Sequence, residues 1–305
     1  LRLGIIGLGK MGSNIARRLL NNKHNCVVFD LNIYIIKLFE EYGGEITFFF
    51  KDLLKKLYTP RSIWIMLPYG NITAKTIYQL IKYLNTGDTI IDGSNANFKD
   101  DISRFKLIYK KGINYLDVGV SGGIWGLSRG YCLMIGGDQP IFKIHTYIFE
   151  SLSSLEKNIK FSIFNKKDYI YCGNTGSGHF VKMIHNGIEY GMMESYAEGF
   201  NIMRNHKNLN LKNISEVWIH CSVISSWLLY IIYIILKKDE NLYNFIGYVN
   251  DSGECRWTIN TAIEKSVSAE VLTASLYSRF RSRNNNNYAD KLLSAMRYKF
   301  GGHIE

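Results

Sequence analysis

The sequence predicts an α/β domain with a doubly wound, mostly parallel sheet over residues 1–165, followed by an all-α domain over residues 166–305. Three observations carry this. A glycine-rich turn joins a short apolar run to a helical pattern at the start; strand-like and helical runs then alternate through the first half; and the second half opens on a helical pattern at 176–191 and carries an uncharged stretch at 217–236 that reads as a buried helix. With 305 residues, 47% of them hydrophobic and 21% charged, the chain is long enough for two cores and has no disorder signature.

Leu3–Ile6 reads as a short buried strand, followed at once by Gly7-Leu8-Gly9-Lys10-Met11-Gly12 and a helix over Asn14–Asn21 with Ile15, Leu19 and Leu20 facing inward. Strand, glycine turn and helix in that order suit a dinucleotide. The glycines allow a tight turn, close approach of pyrophosphate oxygens to backbone N–H groups and close helix packing, and the helix N-terminus adds partial positive charge. The second strand, Cys26–Phe29, ends in Asp30, eighteen residues after Gly12, where a carboxylate can hold ribose hydroxyls. This is a Rossmann-type arrangement. A carboxylate at Asp30 repels a 2′-phosphate and Leu31 offers no guanidinium to bind one, so NAD is favoured over NADP; the plainer alternative is that Asp30 only caps the next helix.

Further strands are predicted at Ser62–Leu67, Thr89–Ile91 and Tyr115–Val118, with helices at Ile72–Leu84 and Asp101–Lys111. In such sheets ligands collect at the carboxyl ends of the strands. Those ends carry Leu67-Pro68-Tyr69-Gly70, Asp92-Gly93-Ser94-Asn95 and Gly119-Val120-Ser121-Gly122-Gly123, each of which could be only a turn, the first as readily as a binding segment. Ser121-Gly122-Gly123 stands out because a hydroxyl followed by two unobstructed amides suits a carboxylate or oxyanion. Asn95 could hydrogen-bond substrate hydroxyls or the nicotinamide side of the cofactor.

The segment Gly176–Gly191 is the strongest candidate for chemistry. On a helix with Lys182 at zero, His185 falls at about −60°, Asn186 at about +40° and Glu189 at about −20°. Lys182 and Glu189 are then roughly 10 Å apart along the axis. Phe180, Val181, Met183, Ile184 and Ile188 form an apolar surround, and Gly187 and Gly191 permit close approach of a backbone or ligand. Periodicity alone allows a second reading, the wet face of an amphipathic helix.

The net charge of +11 is spread over separated lysine clusters at 51–56, 106–111 and 157–167 rather than one stripe, which argues against nucleic acid. Five cysteines without a CxxC pair, an odd count, fit a reducing compartment; with an apolar strand at the first residue, a cytoplasmic location is expected. Residues 217–236 carry no formal charge, but His220, Cys221, Ser222, Ser225 and Ser226 interrupt them, so a buried helix is expected rather than a membrane span.

The motifs GLGKMG, DGSN at 92–95, GVSGGIWGLSRGYCLMIGG at 119–137, GSGHFVKMIHNGIEYGMM at 176–193, DSGECRWT at 251–258 and RYKFGGH at 297–303 together resemble the decarboxylating 6-phosphogluconate dehydrogenases, in their short bacterial form. These belong to the β-hydroxyacid dehydrogenase superfamily. The resemblance implies that Lys182 is the general base at the C3 hydroxyl and Glu189 the acid at C1. It implies a cofactor held by Gly7, Leu8, Gly9, Lys10, Met11, Gly12, Asp30, Leu31, Leu67, Pro68 and Asn95. Asn95, Ser121, Gly122, Gly123, His185 and Asn186 would hold the carboxylate and hydroxyls of a phosphorylated sugar acid. Tyr190, Arg256, Thr258 and Arg279 would hold its phosphate, with Arg297 and His303 supplied by a second subunit of a homo-oligomer. Without the resemblance, Arg279, Arg281 and Arg283 read as a solvated basic turn and the tail as a frayed end.

Neither a metal, a nucleic acid nor a membrane is expected as partner. Long-form members carry Asn-Arg where this chain has Asp30-Leu31, and lysine where it has Arg256, so the usual NADP preference is in doubt. Two alternatives stand beside this reading: a β-hydroxyacid dehydrogenase for a small unphosphorylated acid, and a nucleotide-binding sensor that has lost catalysis.

Overall fold

The computed structural model describes residues 1–153, 167–284 and 287–301, and the backbone alone of 297, 298, 300 and 301. The first half runs β1 (Arg2–Ile6), α1 (Lys10–Asn21), β2 (Asn25–Phe29), α2 (Ile33–Glu40), β3 (Glu45–Ile46), α3 (Phe50–Lys55) and β4 (Ser62–Ile65). It continues with α4 (Asn71–Leu80), β5 (Thr89–Asp92), α5 (Phe98–Tyr109), β6 (Asn114–Ser121), a 3₁₀ turn (Gly123–Trp125) and α6 (Gly126–Arg129). Then come β7 (Cys132–Gly137), α7 (Gln139–Leu152), β8 (Tyr169–Gly173) and α8 (Ser177–Arg204). After these lie α9 (Leu211–Cys221), α10 (Trp227–Lys238), α11 (Glu254–Glu264), α12 (Glu270–Ser282) and α13 (Tyr288–Gly301).

The eight strands form one sheet in the order β3-β2-β1-β4-β5-β6-β7-β8, parallel at every pairing except β6 with β7. Alternation of side chains along each strand divides the apolar residues between two cores. Leu3 and Ile5 of β1, Val28 of β2 and Trp64 of β4 face one core with Ile15, Leu19, Ile148 and Phe149. Ile6, Val27, Ile63 and Ile65 face the other, with Leu53, Ile77, Leu80 and Ile108. Both faces are therefore covered, as a parallel sheet requires. The strand order reverses between β1 and β4, which places the glycine turn and the Leu67-Pro68 segment at neighbouring carboxyl ends.

The predicted strands and helices are present with shifted ends. Strands β3, β7 and β8 were not expected: β3 is two residues long, and β7 and β8 lack the run of β-branched residues that marks a strand. The single buried helix expected over residues 217–236 is instead broken into α9 and α10. Ser226 starts the second of these, its hydroxyl capping α10 by accepting from the Leu229 N–H. Only Leu229 and Leu236 of α10 are buried. No helix among the described residues is long and apolar enough to cross a membrane.

By packing, the chain divides into Leu1–Met183 and Ile184–Glu305, so the division falls within α8. The boundary expected at 165/166 lies outside the described residues. In the second unit α9 packs on α10 and α11 on α12. Among the described residues, Tyr190, Cys255 and Leu276 form a small buried cluster there, with Ile259 and Phe280 against them.

Candidate active site

The three glycines of the first turn do two different jobs. A Cβ at Gly12 would lie 2.0 Å from the Gly7 carbonyl oxygen, and one at Gly7 would lie 2.4 Å from that of Met66, so Gly12 permits close packing of α1 on the end of β1, and Gly7 that of the turn on the end of β4. At Gly9 a Cβ would meet nothing within 4 Å, and α1 begins there without a side-chain cap. Its first amides, at Lys10, Met11 and Gly12, are thus presented beside open space, a cradle that fits a pyrophosphate.

Asp30 stands at the end of β2, where its Oδ2 accepts from the Leu8 N–H at 2.6 Å and its Oδ1 from the Asn32 N–H at 2.8 Å. The helix cap of α2 is Asn32, which accepts from Tyr34 and Ile35, so Asp30 is not the capping residue. Leu31 is exposed. Leu67 is half-buried and Pro68 exposed, and the Pro68 carbonyl accepts from the Thr73 hydroxyl at 2.8 Å.

Asn95 follows β5 in a left-handed conformation (φ 54°), and its Oδ1 accepts from the Val120 N–H at 3.4 Å. It is thereby tied to the residue before Ser121, the last of β6. Gly122 (φ 137°) and Gly123 (φ 55°) are both exposed, in conformations that favour glycine, and a Cβ at Gly123 would meet nothing.

The amino end of α8 is seated on the β6–β7 pair through backbone contacts that only glycine allows. A Cβ at Gly178 would lie 2.5 Å from the carbonyl oxygens of Asp117 and Met134, and one at Gly119 would lie 2.4 Å from the Lys182 Cβ. Lys182 is consequently buried, with 5% of its surface exposed. Asp117 of β6 holds this end: its Oδ1 accepts from Gly176 N–H (2.7 Å) and its Oδ2 from His179 N–H (2.9 Å). A carboxylate at a helix N-terminus is also favoured by the helix dipole.

The His179 ring, fully buried, has its Nδ1 2.7 Å from Asp101 Oδ2 on α5. Burial alone would lower the pKa of His179, but Asp101, backed by Asp92 and Asp117, raises it to about 9. Burial pushes the Asp117 carboxyl up to about 6 against the pull of His179. Tyr115 donates to this cluster, its hydroxyl 2.8 Å from both Asp92 Oδ2 and Asp101 Oδ1, and Arg104 lies 3.6 Å from each of those carboxylates. Asp101, Asp117 and His179 bring ligand-type atoms within 4.8 Å of one another, and the hydrogen bonds above already engage them.

Farther along α8, His185 Nδ1 lies 3.2 Å from Asn186 Oδ1 and 3.7 Å from Glu189 Oε2, so these three predicted residues meet on one stripe. The apolar surround is only partly formed. Met183 is buried, whereas Val181 and Ile188 are exposed. Gly187 admits a side chain: its Cβ would lie 3.0 Å from Thr258 Cγ2.

Tyr190 is buried and its hydroxyl accepts from Ser252 N–H at 3.2 Å. The Arg279 guanidinium stacks 3.5 Å over its ring and donates to the Asn250 carbonyl at 2.8 Å. Arg256 binds the next residue, Nε to Asp251 Oδ2 at 2.6 Å, so the two arginines flank one loop. Thr258 faces Gly187 of α8 rather than the loop at Asp251. Two residues on from Arg256 it occupies the other side of α11, buried, its hydroxyl donating to Glu254 O at 3.0 Å. Arg297 lies in α13 with only its backbone described, and His303 lies outside the described residues.

Sequence reasoning missed the Asp101–His179 pair, the Asp117 cap and Asp251. The available signals were an aspartate inside the apolar run Tyr115–Val120, a histidine one turn before Lys182, and an acid five residues before Arg256.

Residues 2–166 match the family model described as the NAD binding domain of 6-phosphogluconate dehydrogenase, and residues 178–303 match its C-terminal domain. The chain is 32% identical over 305 residues to the NAD(+)-dependent, decarboxylating 6-phosphogluconate dehydrogenase of Haloferax volcanii, covering 99% of this chain and 98% of that one. It is 32% identical over 293 residues to the Bacillus subtilis protein of the same name, covering 92% of this chain but 61% of that longer one. Among solved structures, the 6-phosphogluconate dehydrogenase of Plasmodium falciparum superposes with a TM-score of 0.83 at 26% identity, over 99% of this chain and 65% of that one. The 3-hydroxyisobutyrate dehydrogenase of Mycobacterium tuberculosis (TM-score 0.72, 17% identity, 92% and 93% coverage) shares the fold. With both halves matched in order and a relative of equal length along the whole chain, the protein belongs to the 6-phosphogluconate dehydrogenase family.

Proposed function

We infer that this protein catalyses the oxidative decarboxylation of 6-phosphogluconate to ribulose 5-phosphate and CO₂ with reduction of NAD. The observation that carries this reading is a buried lysine, Lys182, on the same helix as the His185–Asn186–Glu189 stripe. When bound, the nicotinamide cofactor supplies a hydride acceptor for C3 of the substrate. Lys182 takes the proton of the C3 hydroxyl, leaving a ketone next to the carbon that bears the carboxylate. Protonated Lys182 then returns its proton to that carbonyl oxygen as the C–C bond to the carboxylate breaks and CO₂ leaves. Glu189 protonates C1 of the resulting enediol while Lys182 takes back the proton of its C2 hydroxyl, which leaves the ketone of the product. Asn95, Ser121, Gly122, Gly123, His185 and Asn186 orient the carboxylate and hydroxyls; Arg256, Arg279 and Tyr190, with Thr258, take the phosphate.

Asp30, held by two backbone N–H groups beside exposed Leu31, supports NAD over NADP. We further infer a cytoplasmic homo-oligomer in which Arg297 and His303 complete a neighbour's site.

The test is a steady-state assay of 6-phosphogluconate with NAD and NADP side by side, following CO₂ release. Turnover with NAD as the better cofactor is expected. Lys182→Ala is expected to abolish hydride transfer and Glu189→Gln to damage the later protonation. Full activity in either variant would remove that residue's role, and absence of CO₂ would overturn the reaction.

A further inference from the structure

Asp251 closes the loop before α11, and its carboxylate, 4% exposed, is gripped from two sides. Arg256 at the start of α11 donates through Nε to Oδ2 (2.6 Å) and through Nη2 to Oδ1 (3.1 Å). Arg283, at the end of α12, donates through Nη2 to the same Oδ1 and through Nε to the Val249 carbonyl (2.9 Å). Both guanidiniums also lie against the Phe280 ring, at 4.4 and 5.6 Å from its centroid. Arg279 is anchored to Asn250, one residue before Asp251. Two guanidiniums thus share a single carboxylate and a third is anchored one residue away, while the nearby Glu254 accepts from Ser252.

This arrangement costs repulsion that one carboxylate only partly offsets. A tether for α12 would need one arginine; two arginines sharing one oxygen make a preorganised pair of forks. Arg283 Nη1 has no partner among the described residues, and the Arg256 and Arg283 side chains remain 49% and 22% exposed, open to a ligand from solvent. The surplus charge and the forked donors fit a phosphate monoester, which carries about −1.5 to −2 and three peripheral oxygens. The two arginines hold the Asp251 pKa down at about 2, so it stays ionised wherever the enzyme works.

We propose that Arg283 is a third guanidinium of the substrate-phosphate site, and that Asp251 is the positioning residue that sets Arg256 and Arg283 into a common fork. This rests on the 6-phosphogluconate reading and extends it to two residues that reading leaves without a role.

The test compares wild type with Arg283→Gln, Arg283→Lys and Asp251→Asn on 6-phosphogluconate and on unphosphorylated gluconate, with inorganic phosphate as competing anion. Arg283→Gln is expected to raise KM for 6-phosphogluconate and weaken phosphate inhibition about ten- to a hundredfold, as loss of a charge-assisted contact implies. kcat, KM for NAD and turnover of gluconate stay near wild type. Asp251→Asn should show the same split in smaller measure, and Arg283→Lys should recover only part of the affinity because a point charge replaces a fork.

Unchanged KM and phosphate inhibition in Arg283→Gln, or equal damage with gluconate, would overturn the proposal. If Arg283→Gln does not fold, Arg283→Lys decides by the same two readouts. Wild type that binds inorganic phosphate but does not oxidise 6-phosphogluconate would sink the parent reading alone; calorimetry of phosphate binding to wild type and Arg283→Gln then still tests the site.

Discussion

Gly119 shows how a single absent side chain makes room for Lys182, the proposed base. Its missing Cβ is the space occupied by the Lys182 Cβ, 2.4 Å from where the extra carbon would sit. Gly119→Ala must therefore displace α8 or strand β6, at a cost typical of overpacking, about 1–3 kcal/mol. A lower urea midpoint together with a loss of kcat is expected. A variant with wild-type kcat would show that the seat of Lys182 is not constrained. That Lys182 and Glu189 lie on one helix was legible in the sequence because helical phase is a local pattern. Gly119 was not, since the contact joins residues 63 apart in the chain and only the packed sheet brings them together.

At the scale of elements, the amino end of α8 is fastened by two acids from other elements, Asp117 of β6 and Asp101 of α5, acting on Gly176 and His179. Because the folded pKa of His179, about 9, lies above its unfolded value of about 6.5, folding favours the protonated ring. That contribution is complete below pH ~6.5 and is lost as pH rises through about 9. Urea midpoints measured between pH 6 and 10 should fall for wild type, and His179→Gln, which cannot titrate, should lack this component. Parallel curves for the two proteins would refute the assignment. The sequence showed that a helix begins near Gly176 but not what holds it, because Asp101 and Asp117 are remote carboxylates whose partners depend on strand order.

For the whole molecule, the two packing units meet within one continuous helix, with Lys182 belonging to the first and Glu189 to the second. The second unit leaves Val217, Val223, Tyr243 and Ile246 exposed on its surface, the kind of apolar exposure that a partner subunit covers. If Arg297 serves a neighbour's site, Lys182→Ala and Arg297→Ala, each inactive alone, should complement when refolded together. A random hybrid dimer population would recover about a quarter of wild-type activity, since one site in each hybrid has both groups intact. No recovery, with hybrids demonstrated by mass, would place Arg297 in its own subunit's site or in none.

By itself, the sequence determined the Rossmann-type sheet, the helical second half, the glycine turn with Asp30, and the polar stripe of α8. Each of these is a local pattern, set by side-chain period or by the backbone freedom of glycine over a few residues. Tertiary structure alone decided the antiparallel β7, the break between α9 and α10, the buried acid–histidine cluster at the amino end of α8, and the clamp of Asp251 on two arginines. Those depend on groups distant in the chain, whose charges and volumes acquire meaning only once packing removes them from water and brings them to within a hydrogen bond of each other.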